Sequence, residues 1–171
     1  MKKVTVLVVF VVLFLLGFQA NAQTKIKLAH VNSTELMKVM PGVDTAQKAI
    51  QDYAKELEDV LKTMYAEFEK LYAAFDRDGG TMSTIVREVK TKELQDMQNR
   101  IKLFEEDAQT KWQEKQEELL KPIYDRAKSA IAEIAKENGY NYVFDSGVGV
   151  LLYSDESDDI LSLVKKKLGI K

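Results

Sequence analysis

From Val43 to Leu120 the chain contains no proline, and its only glycines there are the adjacent pair Gly79 and Gly80. Within this stretch Ala54, Leu61, Phe68 and Phe75 recur every seven residues. Ile50, Leu57, Met64 and Leu71 repeat the same period at an offset of three or four. Charged residues such as Lys55, Glu56, Glu58, Asp59 and Lys62 fill the outer positions. Such a pattern is the a/d seam of a coiled coil. Asp76-Arg77-Asp78-Gly79-Gly80 then interrupts it, because paired glycines make continued helix costly and permit positive φ. A second helix restarts near Ser83, a good N-cap. Its seam runs through Leu94, Met97, Ile101, Phe104 and Ala108, blurs around Trp112, and resumes at Leu119, Ile123, Ala127, Ala130 and Ile134. The prediction is two antiparallel helices joined at a glycine tip. The first alone extends on the order of 50 Å, too long for one side of a compact ball.

The flanking segments must supply the body. Lys25 to Val31 alternates as a strand, with Ile26, Leu28 and His30 on one face. Asn32 or Ser33 caps a short helix through Met40, which Pro41-Gly42 ends. After the arm, Pro122 is expected to kink the second helix and Gly139 to stop it. Tyr140–Phe144 and Val148–Tyr153, separated by Asp145-Ser146-Gly147, predict a β-hairpin. Val150-Leu151-Leu152 is continuously apolar, which predicts a strand covered on both faces. The closing helix is expected to carry Asp158 and Asp159 in its first turn and Lys165–Lys167 in its last, as the helix dipole favours.

The fold class expected is α+β, mainly α: a long coiled-coil hairpin, residues 43–120, on a small strand body, residues 25–42 and 121–171, within a single domain 23–171. Three short strands leave open edges, and so small a core usually needs copies of itself. Ile26, Leu28, Val143, Val150, Leu151 and Leu152 are the residues expected to join protomers.

Ahead of the body stand Lys2 and Lys3, an apolar run from Val4 to Phe18, and Ala20-Asn21-Ala22. This is the layout of a signal peptide over residues 1–22, cleaved after Ala22. The run is short for a membrane span. Export to the periplasm is the expectation. Loss of Lys2 and Lys3 leaves 23 basic against 27 acidic residues. That balance argues against a nucleic-acid partner, which calls for a clustered basic surface. With no cysteine in the chain, disulfides, thiol nucleophiles and cysteine-held zinc are excluded.

Enzymatic chemistry finds no foothold. His30 is the single histidine and is read as structural. Asp155, Glu156, Asp158 and Asp159 lack the spacing and glycine of an EF-hand loop and suit helix capping better. No P-loop, nucleophile elbow or HExxH motif is present, and no cofactor or metal is expected.

The opening KIKLAHVNSTELMKVMPG, the arm start AQKAI and the tail ELLKPIYDRAKSAIAEIAKENGYNYVFDSGVGVLLYSDESDDILSLVKKKLG resemble the Skp (OmpH) family of periplasmic chaperones. The tail is the specific part: proline within a long helix, then ENGY, a strand pair and a closing helix. The resemblance implies a homotrimer with a β-barrel body and three arms around a cavity. It also implies ATP-independent holding of unfolded outer-membrane β-barrel proteins. One departure stands out. Better-known members are strongly basic, whereas residues 43–120 here carry 12 basic and 18 acidic side chains. That weighs against lipopolysaccharide or membrane contact and shifts client capture toward apolar surface.

Register places the contact candidates. Tyr65 and Tyr72 fall on an e position beside the seam, and Tyr53 and Val60 on the opposite flank. Near the tip, Met82, Ile85 and Val86 are further candidates. The competing reading is that Tyr65 and Tyr72 widen the hairpin core. Phe68, Leu71 and Phe75 are assigned to that core. Two other functions remain open on the residues alone. One is an exported coiled-coil adaptor with a single specific partner. The other is a hydrolase or transferase with its site among the strands, which the lone histidine and missing cysteine disfavour.

Overall fold

The structure, a computed structural model, describes residues 26–170. The signal-peptide assignment and Lys25 lie outside the described residues. The chain begins with strand β1 (Leu28–Val31), helix α1 (Ser33–Val39) and helix α2 (Val43–Asp78). Helix α3 (Thr84–Glu137), strand β2 (Tyr142–Asp145) and helix α4 (Leu161–Lys167) follow, with a single 3₁₀ turn at Glu156–Asp158 before α4.

The two long helices are those the heptads predict. Helix α2 has 36 residues and α3 has 54, lengths of about 54 and 81 Å at 1.5 Å per residue. Ser83 caps α3 by accepting from the Val86 amide at 3.4 Å. At the tip the Arg87 guanidinium donates to the Gly79 carbonyl, closing the turn between the helices. Every seam position named from sequence is buried or half-buried, while Lys55, Glu56, Glu58, Asp59 and Lys62 around it are exposed. Pro122 lies inside α3, which continues past it to Glu137. It sits on an exposed face, where the carbonyl it leaves unbonded can be hydrated. Gly139, at φ 70°, stops the helix as expected.

The body departs from the predicted hairpin. Strand β2 pairs with β1, in parallel, in the register Leu28–Tyr142, Ala29–Val143, His30–Phe144 and Val31–Asp145. Parallel strands need a crossover, and here the crossover is the whole arm. Val148–Tyr153 forms no strand. Val150 and Leu152 are exposed, Leu152 fully so at 100%. Two features explain this. Gly147 packs against α1 rather than turning the chain back, and Gly149 takes φ 74°. The outer edge of β2 is left unpaired in the protomer. Ile26 likewise lies before β1, and Leu28 at the strand's start is exposed.

The core sits where α1, α4, the root of α2 and the last turns of α3 meet the inner face of β1. Leu36, Ile160 and Val164 are its most completely buried side chains, with Ala29, Val31, Met40, Ala127, Ala130 and Ile134 around them. Helix α4 starts later than predicted. Asp155 caps the 3₁₀ turn, and Asp159 accepts from the Leu161 amide at 2.8 Å, so the acids precede the helix rather than fill its first turn. Lys167 ties α4 to α3 through Glu133 and Glu137, at 2.9 and 2.7 Å.

Candidate functional site: the apolar faces of the arm

A ribbon two helices thick cannot bury its whole seam. Each a/d side chain is covered from the facing helix and left open above and below. Leu57, Leu61, Met64, Phe68, Leu71 and Phe75 are accordingly only half-buried along α2. On α3, Met97 and Ile101 reach full burial, with Leu94 and Phe104 half-covered. Much of the arm's apolar surface thus stays in contact with water, which gives it a standing affinity for other apolar groups.

The seam opens in mid-arm. Ala54 on α2 and Ala108 on α3 are too small to fill the space between helices. The result is an open groove of about 390 Å³ with Leu57 and Leu61 on one wall and Trp112 on the other. Glu58, Glu105 and Gln109 complete it. In the sequence the heptads blur only at the groove's Trp112 end. Alanines stand at seam positions of both helices in the sequence, but periodicity alone does not say that they face each other.

Tyr65 stands on the groove's flank, 45% exposed, and its hydroxyl donates to Glu105 Oε1 at 2.8 Å across the helices. That bond to a carboxylate, with desolvation and the nearby negative charge, raises the phenol above its ordinary pKa. Tyr72, 56% exposed, stacks on Phe68 with centroids 6.2 Å apart. Both tyrosines therefore touch the hairpin and present a face to solvent. Tyr53 is half-buried and Val60 exposed on the other flank. At the tip Met82 is half-buried, whereas Ile85 (74%) and Val86 are exposed. Val89 and Leu103, not singled out from sequence, are exposed too. Val89 is one turn beyond Ile85 and was legible as its i+4 partner.

The body has a second apolar face. Tyr142 and Phe144 stack on the outer side of β2 at 6.5 Å. Val148, Val150, Leu152 and Tyr153 continue the exposed surface, with Val143 and Leu151 half-covered. His30 lies apart from this face, buried, its Nε2 3.1 Å from the Asp155 carbonyl oxygen. Its role is to pin the 155–159 segment, which also bridges β1 at Asp159. Among the described residues no group of histidine, aspartate and glutamate has the arrangement of a metal site, and no helix is long and apolar enough to cross a membrane.

The chain is similar to known proteins. The chain is 27% identical over 157 residues to the chaperone protein Skp of Photorhabdus luminescens, covering 90% of this chain and 92% of that one. It is 26% identical over 146 residues to the chaperone protein Skp of Yersinia enterocolitica, covering 83% and 85%. A solved OmpH-like chain of Caulobacter crescentus CB15 superposes with a TM-score of 0.70 over 84% of this chain and 83% of that one, at 12% identity, a likeness of fold. Residues 27–168, nearly all that the structure describes, match the family described as outer membrane protein (OmpH-like), and the chain belongs to that family.

Proposed function

We propose that this chain is a periplasmic holdase chaperone that binds unfolded outer-membrane β-barrel proteins between helical arms and keeps them from aggregating. The carrying observation is the half-covered seam: a long arm most of whose apolar seam residues are only half-buried by the arm itself. Relatives named as chaperones support the same reading. Binding free energy alone drives the holding, with neither nucleotide nor catalysis. Each apolar contact contributes about 1 kcal/mol, so several arms grip a client by many weak, sequence-tolerant contacts and still release it.

The assembly follows from the body. The exposed face from Tyr142 to Tyr153 and the free edges of a two-stranded sheet are surfaces that copies of the chain cover for one another. We take the copy number to be three, with residues 43–120 of each protomer as its arm and residues 1–22 removed on export. Light scattering of the chain from Gln23 onward, alone and with an unfolded outer-membrane barrel, tests the proposal. The expected result is a homotrimer that suppresses the barrel's aggregation stoichiometrically without ATP. A solitary molecule that leaves aggregation unchanged refutes it.

A further inference from the structure

The mid-arm groove is acidic as well as apolar. The facing segments 54–61 and 105–112 carry six acidic and two basic side chains. One of the two bases, Lys111, is already engaged by Asp107 at 2.7 Å. Glu58 and Glu105 line the groove itself, and no lysine or arginine does. Neither carboxylate has an ion-pair partner among the described residues; Glu105 accepts only from the Tyr65 hydroxyl. At about 390 Å³ the groove suits one bulky side chain.

We infer that this groove is a client subsite selective for a large apolar or aromatic side chain flanked by lysine or arginine. The inference rests on the holdase reading above and names the client segments that the arm prefers. The ring enters between Ala54 and Ala108, against Leu61 and Trp112. The flanking cations stay at the rim, opposite Glu58 and Glu105. Partial exposure there keeps each ion pair modest, so charge selects among apolar segments rather than supplying the affinity.

Trp112 is the only tryptophan in the chain, so its emission reports on the groove without a label. The chain from Gln23 onward is titrated with a short unstructured peptide carrying one phenylalanine between two lysines. Two control peptides replace the lysines with glutamates, or the phenylalanine with serine. A saturable shift is expected with the first peptide. Binding of the glutamate version is expected to be about fivefold to tenfold weaker at low salt, and the serine version gives no saturation. Glu58→Gln with Glu105→Gln, which keeps an acceptor for Tyr65, removes the discrimination without removing the shift. Ala108→Leu fills the groove and abolishes the shift, with helicity checked by circular dichroism. If that variant unfolds, the double glutamine variant still decides. Equal affinity for the two charged peptides overturns the inference. So does a Trp112 shift that grows with protein concentration in the absence of peptide, which identifies a second copy as the occupant. Holding of an unfolded barrel is measured in parallel. If it persists while Trp112 stays silent, only the groove assignment falls; if it is absent, the holdase reading falls with it.

Discussion

The carboxylate of Asp145 accepts from both the amide and the hydroxyl of Ser33, joining the last residue of β2 to the first turn of α1 across more than a hundred residues of sequence. It also accepts from the Gly147 amide at 2.8 Å. Burial pushes the Asp145 carboxyl up, but the donors from Ser33 and Gly147 together outweigh it and hold it below the ordinary carboxylate range. Its folded pKa is thus lower than its unfolded one. The stability it adds is complete above the unfolded value of about 3.9 and is lost as pH falls through the folded value. Asp145→Asn is expected to cost about 1 kcal/mol at neutral pH. The gap between wild type and variant should then shrink below about pH 4. Urea midpoints followed by circular dichroism from pH 7 downward measure it, and a gap that stays constant into strong acid contradicts the assignment.

Gly147 completes the same junction from the other side. A Cβ built there would lie 2.5 Å from the Asn32 Oδ1 and 3.0 Å from the Thr34 amide nitrogen. Asn32 is the cap of α1, its Oδ1 accepting from the Glu35 amide at 3.0 Å, so it cannot yield without uncapping the helix. Gly147→Ala should therefore destabilise the body by about 1–3 kcal/mol. Gly80→Ala at the arm tip meets open space at negative φ and should be close to neutral. Thermal unfolding of the two variants side by side checks the contrast; equal losses would remove the packing account of Gly147.

The arm was legible in the sequence and the body much less so, for a physical reason. A heptad such as Ile50, Ala54, Leu57 and Leu61 is a local signal, fixed by residues within two turns, and helical hairpins answer to it directly. Strand pairing is not local. Tyr140–Phe144 beside Val148–Tyr153 reads as a hairpin, yet β2 finds its partner in Leu28–Val31, on the far side of the arm. Nothing in a window of ten residues distinguishes Gly147 as a turn from Gly147 as the one residue small enough to seat against Asn32. The groove at Ala54 and Ala108 was hidden differently. Its existence depends on which residues of the two seams sit at the same height, and periodicity within each helix leaves that registry unset.

Tyr65 and Tyr72 carry the next prediction. Tyr65 is anchored through Glu105 and Tyr72 through Phe68, so each ring is held with one face to solvent at little further entropic cost on binding. Changing both to serine should weaken holding of an unfolded barrel severalfold, roughly the loss of about 1 kcal/mol per ring, while oligomeric state and helicity persist. Tyr65→Phe alone keeps the ring and should hold clients nearly as well as wild type. The anchor has its own readout. Carbon-13 tyrosine NMR at alkaline pH should show the Tyr65 phenol ionising above its ordinary value, and Glu105→Gln should lower that titration. Unchanged holding in the double serine variant would assign these rings to the hairpin core alone.

Leu152 is fully exposed, and Val150 and Tyr153 beside it are largely so, on a segment with no hydrogen-bonded partner strand. Apolar side chains this exposed on a small body are costly in water. If copies of the chain meet here, a carboxylate at position 152 would be buried without a partner, at a cost of several kcal/mol per site. Leu152→Asp should therefore dissociate the assembly, and dissociation should abolish holding even though every arm keeps its own surface. Leu103→Asp is the matched control. Leu103 is also exposed, but it lies on the arm, and its substitution should leave the assembly whole. Sedimentation velocity on both variants separates body from arm as the seat of self-association. An intact assembly with aspartate at 152 and a broken one with aspartate at 103 would place the contact on the arms, and with it would go the picture of arms left free to surround a client.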